Sequence, residues 1–268
     1  MSEEQPGVNS RQYWEQRFAD NWDEAGGPAQ TRFFAQLALR MMPRWLTMSL
    51  SACDSFVDVG CAEGEAAALF KRQFPSLAVT GIDFSDKAIA TARSRHEGVD
   101  FLVGDIARVG KGFEVVFCSN VLEHFHDPLS MLEHLVAAST RYVVVMVPGW
   151  EIDRHHEHHV TFTLSSFPRV VSGMQCLHVG AVNCARIDSE QWPGYQLMVV
   201  YGIPEAAGQG SPTLEDAVVE AQLPGLSIAD LAALREFDPA LERIGQLASD
   251  SLLGASAGSV VVQRIADA

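Results

Sequence analysis

The sequence predicts an α/β protein built on a doubly wound, mostly parallel sheet of seven strands. Short apolar runs alternate with helix-forming segments after residue 55, which is the pattern of strand, helix and strand units joined by right-handed crossovers. Most of these runs are continuously apolar, as strands buried on both faces require. The first run leads into GCAEGEAAALF, where a glycine-rich turn is followed by a helix-forming stretch.

Composition limits the function classes. The chain has 268 residues, 47% of them hydrophobic, which is enough for one main domain with a sizeable core. Its formal net charge of -15 disfavours binding to nucleic acid, which depends on clustered basic residues. Apolar runs are shorter than the ~20 residues of a membrane span, and the N-terminus has no signal-peptide pattern. We therefore expect a cytoplasmic protein without nucleic-acid or membrane partners.

The N-terminal segment, residues 1–50, is predicted to be a tail followed by two helices. The aromatic residues Tyr13, Trp14, Phe18 and Trp22 have helical spacing and precede the break AGGP. A second helix is expected from Thr31, which is a plausible N-cap residue. These helices would either pack on the core or form a lid over a ligand pocket.

The main domain is expected to span residues 51–203. After the first strand, Phe56 to Val59, further strands are predicted at 77–83, 99–103, 114–119, 141–147, 175–185 and 195–202. The last two would form an antiparallel hairpin at the edge of the sheet. Helices are predicted at 87–96, 129–139 and 164–172.

Residues 204–268 are predicted to form a C-terminal helical extension. The stretch 204–212 is rich in Gly, Ala, Pro and Ser and indicates a linker. Two helices and a strand-like run at 259–265 follow. This extension is a candidate for a homodimer contact or for a cap on the substrate pocket.

Ligands of doubly wound sheets bind at the carboxyl ends of the strands. A glycine turn at that edge presents backbone N–H groups and the positive end of a helix. The candidate cofactor-binding residues are those that follow the first four strands: Asp58, Gly60, Cys61, Ala62, Gly64, Asp83, Phe84, Gly104, Asp105, Ile106, Ser119 and Asn120.

The spacing of the glycines in the first turn distinguishes between the possible nucleotide ligands. A dinucleotide fold uses G-x-G-x-x-G, whereas this chain has Asp58, Gly60, Ala62 and Gly64 at alternate positions, which disfavours NAD. A phosphate-binding P-loop is excluded because no G-K-[ST] follows the turn.

This turn resembles the first motif of class I S-adenosylmethionine-dependent methyltransferases, usually D-x-G-x-G-x-G, with Ala62 where glycine is commonest. The resemblance continues through Asp83 in GIDFSDKAIATAR, Asp105 in FLVGDI and the segment SNVLEH that ends at His124. It implies a Rossmann-like fold and S-adenosylmethionine as cofactor, with S-adenosylhomocysteine as product. It also implies that Asp83 accepts hydrogen bonds from both ribose hydroxyls and that Asp105 lies near the adenine amino group.

The segment from Tyr13 to Leu37 and the sequence His159-Val-Thr-Phe-Thr resemble a subgroup of bacterial methyltransferases that act on small metabolites and glycans. A sulfonium cofactor carries positive charge and therefore suits an acidic pocket. The resemblance implies a small-molecule acceptor from a biosynthetic pathway.

Four histidines lie close together, at 155, 156, 158 and 159, among three acidic residues. A zinc motif of the H-E-x-x-H type is excluded because Val160 stands where the second histidine is required. Three interpretations remain: a solvated polar loop, a looser metal site, or a general base supplied by His158 or His159. His124 is the other candidate base. We predict catalytic roles for these three histidines and no metal site.

The sequence therefore predicts methyl transfer from S-adenosylmethionine to an O, N or C atom of a small molecule, by in-line displacement. Alignment of the reacting atoms in a dry pocket would supply most of the acceleration. The alternatives are a non-catalytic protein or partner subunit that binds the same cofactor, and an NAD-dependent oxidoreductase.

Overall fold

The computed structural model describes residues 6–203 and Leu234. The described chain forms one mixed sheet of eight strands. In chain order the strands are β1 (Ser55–Val59), β2 (Ala78–Asp83), β3 (Asp100–Val103), β4 (Phe113–Ser119), β5 (Ser139–Gly149), β6 (Val170–Val171), β7 (Met174–Asn183) and β8 (Tyr195–Gly202). Their order in the sheet is β3-β2-β1-β4-β5-β8-β7-β6. The pairings from β3 to β5 are parallel, so the carboxyl ends of five strands meet at one edge.

The helices are α1 (Arg11–Asp20), α2 (Gly27–Met41), α3 (Arg44–Leu50), α4 (Glu65–Gln73), α5 (Asp86–Arg95), α6 (Pro128–Ala138) and α7 (Ala185–Asp188). Short 3-10 turns lie at Ile106–Arg108, Leu122–His124 and Leu164–Ser166. Residues of α2 to α5 join one buried apolar cluster, and residues of α6 join the other. The helices thus cover both faces of the sheet, as predicted.

Strand β5 shows why the sheet is buried on both sides. Val143, Val145 and Val147 belong to the cluster on the α6 face, whereas Val144 and Met146 belong to the cluster on the opposite face. Successive side chains of a strand point to opposite faces, so a strand covered on both sides must be apolar throughout.

Strand β1 anchors the turn that follows it. The ring of Phe56 stacks on Phe70 of α4, with 4.6 Å between ring centroids, and on Phe117 of β4 at 6.0 Å. All three side chains are fully buried, and aromatic pairs of this kind add to the free energy of area burial. The glycine turn is therefore held between a strand and a helix that are packed together directly beneath it.

The antiparallel edge hairpin is confirmed, since β8 pairs antiparallel with β5 and with β7. The two-residue strand β6 adds an eighth strand beyond the seven that were predicted. The helix predicted at 164–172 is wrong: the chain forms one 3-10 turn and then becomes extended. Pro168 explains this, because proline lacks an N–H and disfavours helical backbone at the preceding residue. The hydroxyl of Tyr201 donates to the Pro168 carbonyl at 2.7 Å.

Helix α2 begins four residues earlier than expected, so the N-cap role predicted for Thr31 is wrong. Gly26 caps the helix with φ 78°, and Pro28 occupies the first turn, where its fixed φ suits a helix start. The Thr31 hydroxyl instead donates to the Gly27 carbonyl at 2.9 Å. The sequence AGGP thus marks the beginning of α2, whereas α1 already ends at Asp20.

The predicted linker, helices and strand beyond residue 203 lie outside the described residues, apart from Leu234. That side chain is buried against the cluster on the α6 face. The division into segments 1–50, 51–203 and 204–268 stays a prediction. Among the described helices, none combines the length and the apolar character needed to cross a bilayer.

Candidate functional site

The glycine turn after β1 has an unusual backbone. Gly60, Ala62 and Gly64 have φ of 77°, 47° and 86°, the left-handed region that glycine adopts without steric cost. A Cβ on Gly60 would lie 2.4 Å from a methyl group of Val121, and one on Gly64 would lie 2.5 Å from the ring of Phe101. The glycines are therefore required both by backbone conformation and by close packing, whereas Ala62 adopts the same conformation at a cost.

The turn is fastened to the end of β2. The N–H groups of Gly60 and Cys61 donate to the Ile82 carbonyl at 2.8 and 3.0 Å. The thiol of Cys61 is fully buried beneath the turn, and burial raises its pKa. Cys61 thus supports the turn through its backbone and its packing.

Asp83 lies at the end of β2 and faces the turn. Its carboxylate accepts from the Ala62 N–H and from the Ser85 N–H, both at 2.9 Å. Each carboxylate oxygen has two acceptor sites, so one remains on each oxygen for a ligand hydroxyl. Burial raises the pKa of Asp83 to about 6.

Asp58 is the second buried acid at this edge. Its side chain is buried, and its Oδ2 has no hydrogen-bond partner among the described residues. Burial, together with the charge of Asp83, raises the pKa of Asp58 to about 7. Two adjacent buried carboxyl groups resist ionisation unless a positive charge lies near them. This edge therefore favours a cationic ligand.

The segment after β3 lies beside Asp83. The Gly104 N–H donates to the Asp83 carbonyl at 2.9 Å. Asp105 is exposed, and its carboxylate accepts from the Ala107 N–H at 2.9 Å, so it caps the 3-10 turn that begins with the buried Ile106. Asp105 is thus placed at the rim of the site rather than inside it.

The loop after β4 is held by the antiparallel part of the sheet. Asn120 has φ 54°, and its N–H donates to the Met146 carbonyl of β5 at 2.8 Å. Its side-chain amide donates to the Ser119 hydroxyl at 3.0 Å and accepts from the buried Gln196 of β8 at 2.8 Å. Strand β8 therefore fixes the direction in which this loop leaves the sheet.

The structure brings two of the predicted catalytic histidines together and separates the third. The rings of His124 and His158 lie 5.1 Å apart, beside the buried Glu123. His159 instead stacks on His126, with 3.7 Å between ring centroids, while its backbone N–H donates to the Glu123 carbonyl at 2.8 Å. The four-histidine segment thus contributes one ring, His158, to the group beside the loop after β4.

Helix α1 covers this group. The ring of Trp14 contacts His124 edge to face at 5.1 Å, and Phe84 lies under Arg11, which donates to its carbonyl. The carboxylate of Glu15 accepts from the Asp86 N–H at 2.8 Å. The helix therefore reaches from the end of β2 to the loop after β5.

The sequence did not predict the role of Glu157, which joins helix α1 to the loop that carries His124. The buried carboxylate of Glu157 accepts from the hydroxyl of Tyr13 and pairs with Arg17 at 3.0 Å. Its backbone carbonyl accepts from His124 Nδ1 at 3.1 Å and from the Asn9 side chain. The acid was visible among the histidines, but no spacing rule connects residue 157 to residue 13.

A doubly wound sheet with a left-handed glycine turn, buried acids at successive strand ends and a helical cover defines a nucleotide-type ligand site. Residues 56–141 match the family model described as a methyltransferase domain. This match contains the glycine turn, Asp83, Asp105 and the segment through His124.

Curated relatives match less than half of the chain. Trans-aconitate 2-methyltransferase of Escherichia coli O7:K1 is 27% identical over 117 residues, which are 43% of this chain and 46% of that protein. The enzyme of the same name from Rhodopseudomonas palustris BisB18 is 34% identical over 83 residues, 30% of this chain and 32% of that protein. The matches therefore cover less than half the length of these relatives.

Among solved structures, the chain is similar to magnesium protoporphyrin IX methyltransferase from Synechocystis PCC 6803 with bound SAH. The TM-score is 0.56 at 15% identity, covering 72% of this chain and 97% of that one, which is a likeness of fold. The resemblance of this chain to the class I S-adenosylmethionine-dependent methyltransferases is confirmed by the match of residues 56–141 to the methyltransferase-domain model.

Proposed function

We propose that this protein transfers a methyl group from S-adenosylmethionine to a small-molecule acceptor. The observation that carries the proposal is the buried pair Asp58 and Asp83 beneath the glycine turn, one with an unpartnered oxygen. Such a pair suits a positively charged ligand and repels a pyrophosphate. The match of residues 56–141 to a methyltransferase domain supports the same cofactor.

The residues of the site fit the parts of this cofactor. Asp83 keeps one acceptor site on each oxygen for the two ribose hydroxyls. Asp105, exposed at the rim, is in a position to accept from the adenine amino group. Bound S-adenosylmethionine supplies the methyl carbon, which bonds to the acceptor atom as the carbon–sulfur bond breaks and its electron pair stays on sulfur.

The acceptor side is formed by the loops after β4 and β5 under helix α1. Trp14, His124 and His158 line this region, and α1 acts as its lid. Enclosure by aromatic rings excludes water and aligns the reacting atoms, which is the main source of acceleration in such transfers. A site covered by α1 favours a small acceptor over a macromolecule.

Activation of the acceptor falls to His124 and His158 rather than to His159. An imidazole of this pair can take the acceptor proton directly, or the pair can hold a metal ion that lowers the pKa of the acceptor. The stacking of His159 on His126 supports a role for His159 in the structure of the loop. Turnover should therefore survive His159→Ala and fall in His124→Ala and His158→Ala.

Calorimetric titration with S-adenosylmethionine, S-adenosylhomocysteine and NAD tests the cofactor. Asp83→Ala should weaken S-adenosylmethionine binding by about 1.5–3 kcal/mol, because hydrogen bonds to a charged group are lost. Asp86→Ala, which changes an exposed acid three residues away, is the matched control and should leave the affinity unchanged. An unchanged affinity of Asp83→Ala for S-adenosylmethionine would contradict the role of Asp83 in cofactor binding.

Transfer of a radiolabelled methyl group to fractionated small molecules tests the activity. Cofactor binding without transfer to any fraction would favour a non-catalytic binding protein or partner subunit. Binding of NAD but not of S-adenosylmethionine would favour the oxidoreductase alternative.

A further inference from the structure

Glu123, His124 and His158 form a compact group at the carboxyl edge of the sheet. Glu123 and His124 come from the 3-10 turn after β4, and His158 comes from the loop after β5. Each offers one nitrogen or oxygen ligand atom, and these atoms lie within 4.8 Å of one another. Two imidazoles and a carboxylate make a donor set that binds divalent transition metals.

The hydrogen bonds of the two histidines fix which ring nitrogen is free. His124 Nδ1 lies 3.1 Å from the Glu157 carbonyl, which can only accept, so Nδ1 carries the proton. His158 Nδ1 lies 2.8 and 2.9 Å from the two carboxylate oxygens of Glu151 and donates to them. In the neutral rings, both Nε2 atoms therefore keep their lone pairs. Histidine ligands of metals are held in the same way, by a carbonyl or a carboxylate on the other nitrogen.

Glu123 supplies an independent observation. Its side chain is 1% exposed, and its Oε2 has no hydrogen-bond partner among the described residues. A buried carboxylate oxygen without a partner is costly, and it lies in the same group as the two imidazoles. A bound cation would satisfy this oxygen.

We propose that Glu123, His124 and His158 bind one divalent first-row transition-metal ion, with Glu151 orienting His158. The carboxylates of Glu123 and Glu151 balance the two positive charges of the ion. Ligand atoms about 2.0–2.2 Å from one ion lie about 3–3.5 Å apart, so the group contracts by roughly an ångström on binding. Imidazole ligands favour zinc, iron, nickel or copper over magnesium, and cobalt lies between iron and nickel in affinity.

Three protein ligands leave at least one coordination position open. Resting on the proposed function, we assign this position to an oxygen of the acceptor, which makes a hydroxyl the methylated group. The ion lowers the pKa of that hydroxyl, its proton passes to solvent, and the oxygen forms the bond to the methyl carbon. The carbon–sulfur bond breaks, and its electron pair remains on sulfur.

Metal titration of the full chain tests the site without use of activity. Protein treated with EDTA and desalted is titrated with cobalt(II), followed by its visible absorption, and with zinc(II) by calorimetry. We expect one ion per chain with Kd below about 10 µM and at least about 100-fold weaker binding of magnesium. Glu123→Gln and His158→Gln should each weaken cobalt binding at least tenfold, and Glu151→Gln about 10- to 100-fold.

His159→Gln is the matched control, since it changes a histidine beside His158 that lies outside the group, and it should keep the affinity of the unchanged protein. Thermal melting of each variant shows that it is folded. Absence of cobalt binding at about 1 mM would overturn the site, and so would binding that survives Glu123→Gln and His158→Gln. Cobalt binding that these two variants abolish would support it.

Failure of the metal site and failure of the proposed function are distinguishable. Protein that binds S-adenosylmethionine but no transition metal keeps the proposed function and loses the site. Protein that binds cobalt with the expected variant pattern but no S-adenosylmethionine keeps the site and loses the proposed function.

Discussion

Ala62 occupies a backbone position that normally requires glycine. Its φ of 47° lies in the left-handed region, where a Cβ costs about 1–2 kcal/mol. Its N–H donates to the Asp83 carboxylate at 2.9 Å, so the strained residue also helps to join the turn to β2. The strain is therefore maintained by a contact within the ligand site itself.

Ala62→Gly should stabilise the protein slightly. Relief of left-handed strain gains about 1–2 kcal/mol, and the greater freedom of glycine in the unfolded chain removes about 0.4–1 kcal/mol. Chemical denaturation should show a net gain between zero and about 1.6 kcal/mol. Gly60→Ala is the opposing control and should destabilise, because its Cβ would lie 2.4 Å from Val121. A loss of stability in Ala62→Gly would contradict the presence of backbone strain at Ala62.

His178 should make the protein sensitive to acid. It is 1% exposed on β7, its Nε2 has no partner among the described residues, and burial lowers its pKa to about 4. The unfolded chain binds a proton below about pH 6.5, whereas the folded protein binds it only near the lowered pKa. Stability is therefore lost as the pH falls through this window.

The test compares the unfolding free energies of the unchanged protein and His178→Leu at pH 7 and pH 5. The unchanged protein should lose about 2 kcal/mol more than the variant over this interval. Equal losses would show that the His178 ring does not remain neutral in the fold.

At the scale of elements, α1 is held by one buried acid in a distant loop. Arg17 pairs with Glu157 at 3.0 Å, and the hydroxyl of Tyr13 donates to the same carboxylate. The Glu157 side chain is 6% exposed, whereas that of Arg17 is 28% exposed. Removal of the arginine leaves a buried charge with one partner fewer, which is strongly unfavourable.

Arg17→Ala should therefore loosen α1 and the loop after β5 together. Hydrogen exchange of amides 11–20 and 151–159 should accelerate about tenfold, with little change elsewhere in the sheet. Gln16→Ala is the matched control on the same helix, because the Gln16 side chain is exposed. Faster hydrogen exchange of amides 11–20 without faster exchange of amides 151–159 would contradict the coupling between α1 and the loop after β5.

The elements also show what sequence patterns can predict. The continuous apolar runs gave β1, β2, β4, β5 and β8 within a few residues, because a strand buried on both faces leaves a direct trace in composition. The helix predicted at 164–172 is interrupted at Pro168, because proline disfavours helical backbone at the residue before it. The short helix α3 (Arg44–Leu50) was not predicted at all, since seven residues give too little periodicity.

The residues at the strand ends of the site could be predicted from the sequence, whereas the side-chain contacts between its loops could not. Asp58, Asp83 and Asn120 lie at or next to the carboxyl ends of their strands, and parallel topology alone brings those ends together. Glu157, in contrast, contacts Tyr13 across 144 residues. The separation of His159 from His158 could not be predicted either, because it depends on the stacking partner His126. Side-chain contacts between distant loops leave no periodic signal.

At the scale of the whole molecule, the acidic edge couples cofactor binding to pH. Asp58 and Asp83, with pKa raised to about 7 and about 6, are partly protonated near pH 6 before a ligand binds. A cation beside them favours the ionised forms and releases protons. The affinity for S-adenosylmethionine should therefore rise between about pH 6 and 8 and then level off.

S-adenosylhomocysteine lacks the positive sulfur and is the control ligand. Between pH 6 and pH 8 the affinity for S-adenosylmethionine should rise about tenfold more than the affinity for S-adenosylhomocysteine. Asp58→Asn should reduce this difference between the two ligands. Calorimetry at pH 6, 7 and 8 measures both. An equal or steeper rise for S-adenosylhomocysteine would show that the buried acids do not respond to the sulfonium charge.

The attachment of α1 to Glu157 sets an order of assembly during synthesis. Tyr13 and Glu157 are 144 positions apart, and at about 5–20 residues per second the ribosome needs roughly 7–30 s to make the intervening chain. Glu15 meets its partner Asp86 after only 71 residues. Helix α1 can thus pack against the segment around Asp86 first. Its contact with Glu157 forms only after the loop after β5 has left the ribosome.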